Sequence, residues 1–262
     1  MKVLSTYLCL LALLLSFSSK AQEVNLDSLW TVWNDKTQPD TNRLKAMNDI
    51  AWDGYLYSQP DSAFYFAQMQ YDFALSVNNK RFMAHSISTQ GVSFAIRGNY
   101  EKSLEYFLKT LEIRKEIDDK KGMGDSYNNI GNIYDDQGNY EKALEYYLKS
   151  LAINKEIGNK EGMGVSYNSI GFIYSNQGNS EKALEYYSKS LEITRELGDK
   201  DGIADSYNNI GLIYSNQENY EKALEYYLKS LAIDKELSNK NGMACSYNNI
   251  GIIYKYQGNY EK

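Results

Sequence analysis

Tyr140, Leu144, Tyr147, Leu148 and Leu151 fall at three- and four-residue spacing, with Glu141, Glu145 and Lys149 between them. That is the pattern of a helix with one apolar face. The block Tyr140-Glu141-Lys142-Ala143-Leu144-Glu145-Tyr146-Tyr147 returns from Tyr220 to Tyr227, and a further copy, ending at Tyr187, has Ser180 in place of the first tyrosine. A second block, Tyr127-Asn128-Asn129-Ile130-Gly131, recurs from Tyr207 to Gly211 and from Tyr247 to Gly251, and as Tyr167-Asn168-Ser169-Ile170-Gly171. Both repeat every 40 residues. Weaker copies hold the register toward the N-terminus, at Gly91 with Asn99-Tyr100-Glu101-Lys102 and at Ala51 with Pro60-Asp61-Ser62-Ala63. Five full copies are expected, at about 44–83, 84–123, 124–163, 164–203 and 204–243, with a partial copy at 244–262.

Each copy reads as two helices. Asn139 is placed to accept a hydrogen bond from the free amides of the second helix, and Glu141 complements the dipole there. Pro60 occupies the column of Tyr140, the first helical position, where a missing N–H costs nothing. Gly158 and Gly198, with Asn78, Asp118 and Ser238 in the same column, mark helix ends that call for a left-handed residue. Two helices of about 18 residues and turns of about two account for the period, each helix being about 27 Å long. Turns that tight make neighbours antiparallel. A lone hairpin exposes apolar surface on both flanks, so copies must stack, and the expected fold is all-α, a right-handed solenoid of antiparallel hairpins. Ahead of it, Leu26, Leu29, Trp30 and Trp33 share one face of a short helical pattern after Asn25, and Pro39-Asp40-Thr41 starts the next. Residues 22–43 read as an N-terminal cap, with an aromatic ligand clamp from Trp30 and Trp33 as the alternative.

The column pattern resembles the tetratricopeptide repeat family: Tyr127, Ile130, Gly131 and Tyr134 in the first helix, Ala143 and Tyr147 in the second. Gly131 and Ala143 mark the closest approach of two backbones, and the tyrosines fill the space around them. The usual repeat of that family is shorter and carries proline near the end of its second helix; here that column holds Lys115, Lys155, Arg195 and Lys235. In this the chain is similar to the long-helix versions found in kinesin light chains and Leu-Gly-Asn-repeat scaffolds. Gln90 replaces the isoleucine of the other copies, which implies a looser hairpin or a hydrogen bond to a neighbour. After Lys262 no second helix follows the partial copy, so Ile250, Ile253 and Tyr254 are expected to face water and the chain reads as a fragment of a longer protein.

The resemblance implies a concave groove lined by first helices. Two of its columns are Asn128, Asn168, Asn208, Asn248 and Asn129, Ser169, Asn209, Asn249. A carboxamide both donates and accepts, so such rows can pair with the backbone of an extended peptide. Alternatively, they bond between adjacent helices and hold the stack. The column after the repeated glycine, Val92, Asn132, Phe172, Leu212 and Ile252, would receive apolar side chains of the same peptide or serve as core. Asp125, Asp135, Asp136 and Asp205 share the groove, and the basic positions with which chaperone-binding relatives grip a carboxylate tail are not matched, so an acidic peptide tail is not the expected ligand. Exported arrays of this type also resemble the sensory halves of bacterial membrane histidine kinases, nucleotide cyclases and transcriptional regulators, whose output domain would lie beyond residue 262.

Composition narrows the remaining choices. Lys2, the apolar run Val3 to Phe17 and Ser19-Lys20-Ala21 read as a secretory signal over residues 1–21, too short for the roughly 20 apolar residues of a spanning helix. The expected location is therefore exported, periplasmic or tethered to the membrane and facing the periplasm. Removing residues 1–21 takes Lys2 and Lys20 and no acid, leaving 26 basic against 34 acidic residues, a formal charge of −8. That sign disfavours nucleic acid as a partner. Cys245 is then the only cysteine, so no internal disulfide is available. Cys245 and His85 share a groove column but lie four copies apart, which gives a metal or thiol nucleophile nothing to build on. Asp135 and Asp136 are adjacent and diverge around the helix, and no glycine-rich phosphate loop follows a strand. The reading is a non-enzymatic scaffold for a protein or extended peptide, with no cofactor and no metal.

Overall fold

The computed structural model describes residues 25–258; the signal reading at 1–21 lies outside them, as do the last four residues. Twelve α-helices and one π-helical segment account for the described elements: α1 Leu26–Asn34, α2 Asp40–Asp49, the π segment Ile50–Tyr55, α3 Pro60–Ser76, α4 Lys80–Ile96, α5 Tyr100–Glu116, α6 Lys120–Asp136, α7 Tyr140–Glu156, α8 Lys160–Asn176, α9 Ser180–Leu197, α10 Lys200–Asn216, α11 Tyr220–Leu237 and α12 Lys240–Tyr256. No strand occurs among the described residues. The fold is all-α, built of antiparallel hairpins that pack consecutively as a repeat stack.

Helices of 17 or 18 residues with connections of two or three close the period, slightly shorter helices and longer turns than the spacing predicts. Turn chemistry sets these bounds. Asn99, Asn139, Asn179 and Asn219 each accept from the amide three residues on, and so satisfy a free donor of the second helix. Pro60 stands first in α3. Asn78, Asp118, Gly158, Gly198 and Ser238 all have positive φ, as their column requires. A second such column, Gly98, Gly138, Gly178, Glu218 and Gly258, closes the first helices.

The chain falls into two compact units, one ending at Asn159 and one running from Lys160. In the first, the core around α5 and α6 joins Phe107, Leu111, Ile130 and Ile133, with Tyr127, Tyr134 and Tyr146 packed against it. Tyr134 and Tyr146 stack at 5.5 Å between centroids, beneath the ammonium groups of Lys142 and Lys149. Gln90 is buried and donates to Gln68 Oε1 at 2.9 Å, so its hairpin gains a hydrogen bond where the other copies have an isoleucine. At the head of this unit Trp30 and Trp33 meet Phe66 and Phe73 edge-on, each at 5.4 Å, and the Arg43 guanidinium lies 4.3 Å from the Phe73 ring. The tryptophan rings are thus taken up by α3.

The second unit repeats the scheme with Ala183, Tyr187, Leu191, Ile210 and Ile213, then with Ala223, Tyr227, Leu231, Ile250 and Ile253. Here one expectation needs correction. Ile250, Ile253 and Tyr254 do not stand free in water: the isoleucines are buried and Tyr254 is half-buried against them, because their side of α12 rests on α11. Tyr247 and Tyr256 are the exposed rings of that helix.

Candidate functional site

In the unit from Lys160, the first helices α8, α10 and α12 stand side by side and touch in sequence. Their glycines set how closely second helices approach. A Cβ on Gly171 or Gly211 would lie 2.8 Å from the ring of Tyr187 or Tyr227, rings that are themselves buried. With that flank closed, the asparagine columns lie along the row of first helices.

There the carboxamides find each other. Asn209 Nδ2 donates to Asn168 Oδ1 at 2.9 Å, and Asn249 Nδ2 donates to Asn208 Oδ1 at 3.0 Å. Asn208 Nδ2 and Asn249 Nδ2 also point at Cys245 Sγ, at 3.6 and 3.8 Å. Four of the expected groove amides are therefore engaged in joining neighbouring first helices, while Asn248 stays exposed. Phe172 packs on the core of its hairpin, and Leu212 and Ile252 are half-buried.

In the unit ending at Asn159, Asn128 and Asn129 are half-buried on α6. The Asn128 Oδ1 atom is shielded from solvent and has no hydrogen-bond partner. Buried acceptors are rarely left so. Asn132 accepts from the Tyr147 hydroxyl at 2.8 Å, and Val92 packs against the core.

Charge on the two units differs in kind. In the first, Arg114 is buried and donates through Nη1 to the Gly122 carbonyl and to Ser126 Oγ. Burial pushes the Asp125 carboxyl up while Arg114 pulls it down. Burial, then Arg114, lowers the His85 imidazole. On the same helix as Asp125, burial and the neighbouring Asp136 raise the Asp135 carboxyl to about 7. In the second unit no arginine takes the place of Arg114. Burial first, then Asp234, Asp201 and Asp199, push the Asp205 carboxyl up to about 7, and burial lifts Asp234 to about 6 against hydrogen bonds from Ser230 and Ser246. Among the described residues, no group of three or more His, Cys, Asp or Glu could hold a metal ion. No described helix is long and apolar enough to cross a membrane.

The sequence reading missed one column, Arg114, Asn154, Thr194 and Asp234, polar and buried near the ends of the second helices. A signal was present: α7 and α11 are identical from Tyr140 to Ile153 and from Tyr220 to Ile233, and first part at Asn154 against Asp234.

A family model described as tetratricopeptide repeat matches residues 82–156, 162–236 and 202–262, more than half of the chain. The chain belongs to the tetratricopeptide repeat family, a fold that generally serves as a non-catalytic scaffold for protein interaction. No curated protein matches it. Among solved structures it is similar to BtubC (BKLC) from P. vanneervenii, with 22% identity, 78% of this chain and 86% of that one covered, and a TM-score of 0.68. It is similar, too, to a signal-transduction ATPase with numerous domains and a tetratricopeptide repeat sensor from Pyrococcus horikoshii, at 21% identity, 86% and 35% coverage and a TM-score of 0.67. The third, aspartyl phosphate phosphatase F from Bacillus subtilis, has 16% identity, 82% and 61% coverage and a TM-score of 0.61. At these identities the likeness is one of fold. The chain spans about a third of the ATPase and under two thirds of the phosphatase.

Proposed function

We propose that this protein binds an extended peptide or a partner protein along its first helices and catalyses no reaction. The observation that carries the reading is the unmatched acceptor of half-buried Asn128: its side chain gives up no bond in the fold when it turns to accept a ligand N–H. In the same unit Asn129 supplies a further polar contact; in the unit from Lys160, taken by itself, exposed Asn248 and half-buried Leu212 and Ile252 supply polar and apolar contacts. Asn168, Asn208, Asn209 and Asn249 also face the row, but hold the stack and offer a ligand only their remaining donors and lone pairs.

Secretion directed by residues 1–21 would put this scaffold in the periplasm, free or tethered to the membrane. Within that location a second reading, a sensor region feeding an output domain, is favoured by the tetratricopeptide sensor named for the archaeal ATPase of similar fold. Fold likeness alone supports it.

The test is photo-crosslinking in intact cells from position 129, against the same probe at exposed Glu101 on α5. A partner captured at 129, lost on Asn128→Ala and absent from position 101, supports the reading. Equal capture at both positions rejects it. A reporter enzyme fused after residue 262, active only on the cytoplasmic side, would refute export.

A further inference from the structure

In a chain built of similar hairpins, the apolar residues that one hairpin offers the next are much alike from copy to copy, so apolar burial alone cannot tell one neighbour from another. The buried polar column described above is where the junctions differ. Arg114, Asn154, Thr194 and Asp234 occupy equivalent places, and α7 and α11, alike through 14 residues, part first at this position. A helix whose exposed positions could vary freely instead varies where variation is most costly.

Three of the four make their own arrangement with the first helix that follows them in the same unit, while Asn154 bonds Ser150 and Asn159 and lies against Gly124 of its own hairpin. Arg114 of α5 reaches the Gly122 carbonyl and Ser126 Oγ of α6, with the carboxylates of Asp119 and Asp125 acting on its charge. Thr194 of α9 presents its methyl group to Gly202 of α10, where a Cβ would lie 2.6 Å from it. Asp234 of α11 accepts from Asn239 Nδ2 and Ser246 Oγ, both at 3.4 Å, and lies against Gly242 of α12. The two charged junctions exclude each other's partner. An aspartate seated on α6 would face Asp119 and Asp125 without the guanidinium that now sits by them. An arginine seated on α12 would meet Asn239 and Ser246, neither of them a carboxylate.

We propose that Arg114, Thr194 and Asp234 act as registration keys: buried residues near the ends of α5, α9 and α11 that let each hairpin seat on the first helix that follows it and reject the similar surfaces elsewhere in the chain or on a second copy. A buried charge left unpaired is strongly unfavourable, and an aspartate moved onto α6 would meet Asp119 and Asp125 in place of the Asn239 and Ser246 donors that it has on α12. The keys thus contribute selectivity more than net stability. Exchange of like hairpins between chains is the error they prevent.

The test refolds the full chain from urea at increasing protein concentration and separates monomer from interlocked species by size-exclusion chromatography with light scattering. A uniform-key variant, Arg114→Asn with Thr194→Asn and Asp234→Asn, gives the three polar positions the residue already present at Asn154 and leaves Ala74 of α3 as it is. Its monomer fraction is expected to fall several-fold as concentration rises, with helical dimers appearing, while the natural chain stays monomeric over the same range. A permuted variant, Asn154→Thr with Thr194→Asn, keeps three residue types in the column and both charged junctions, and is expected to behave as the natural chain. Equal monomer yields for uniform and natural chains overturn the proposal, as does a loss in the permuted variant as large as that in the uniform one. A uniform variant that does not fold at all also overturns it, because the column would then act through stability.

Discussion

The ring of Tyr227 lies against the Cα of Gly211 so closely that a Cβ there would be 2.8 Å from its Cδ1 and Cε1 atoms. Tyr227 is 1% exposed and has no room to retreat. Gly211→Ala is therefore expected to destabilise the protein by about 1–3 kcal/mol through overpacking. The equivalent glycine of α12, Gly251, has nothing within 4 Å of its Cβ position among the described residues. Gly251→Ala is expected to stabilise by about 0.5–1 kcal/mol, the ordinary gain of alanine over glycine within a helix. Urea titrations of the two variants would show midpoints moving in opposite directions.

Glu218 stands at φ +60° in a column otherwise filled by glycine. Left-handed backbone costs a residue with a Cβ roughly 1–2 kcal/mol, so Glu218→Gly is expected to recover about 1 kcal/mol of it, offset in part by the freedom glycine adds to the unfolded chain. A thermal melt checks the direction, and the converse, Gly178→Glu, should lower the midpoint.

Asp205 and Asp234 give stability a pH dependence that can be read without a ligand. Their carboxyls stand at about 7 and about 6 in the fold against 3.8 ordinarily, so the folded state binds their protons more tightly than the unfolded chain. The stabilisation from those protons is complete below about pH 4 and is lost as pH rises through 6 to 7. Urea midpoints are expected to fall between pH 5 and pH 8, and Asp205→Asn should flatten that slope. An unchanged slope would mean that the acids find cations or water on deprotonation.

The asparagine rows separate into two experimental classes. Asn209→Ala removes the bond to Asn168 and is expected to cost about 1 kcal/mol of stability. Asn248→Ala, on an exposed side chain, should change stability by less than about 0.5 kcal/mol. If the first helices bind a peptide, Asn248→Ala weakens crosslinking to it by more than its unchanged melting point would imply.

Much of this architecture is legible because the rules that write it are local. Asn139 caps α7, Pro60 opens α3 and Ser238 turns out of α11 through interactions spanning four residues or fewer, so their columns gave the boundaries of the helices to within a residue or two. The even period followed from the same signals, and with it the all-α class and the family. What the sequence left open concerns residues that stand on different helices. Whether Asn208 serves a ligand or the stack depends on Asn249 lying 3.0 Å away, and whether Ile250 meets water depends on α11 covering it. The burial of Arg114 and Asp234, and the elevated carboxyls of Asp205 and Asp234, likewise arise only when one helix is pressed upon the next, since desolvation and charge proximity are properties of the packed neighbourhood and of no single segment.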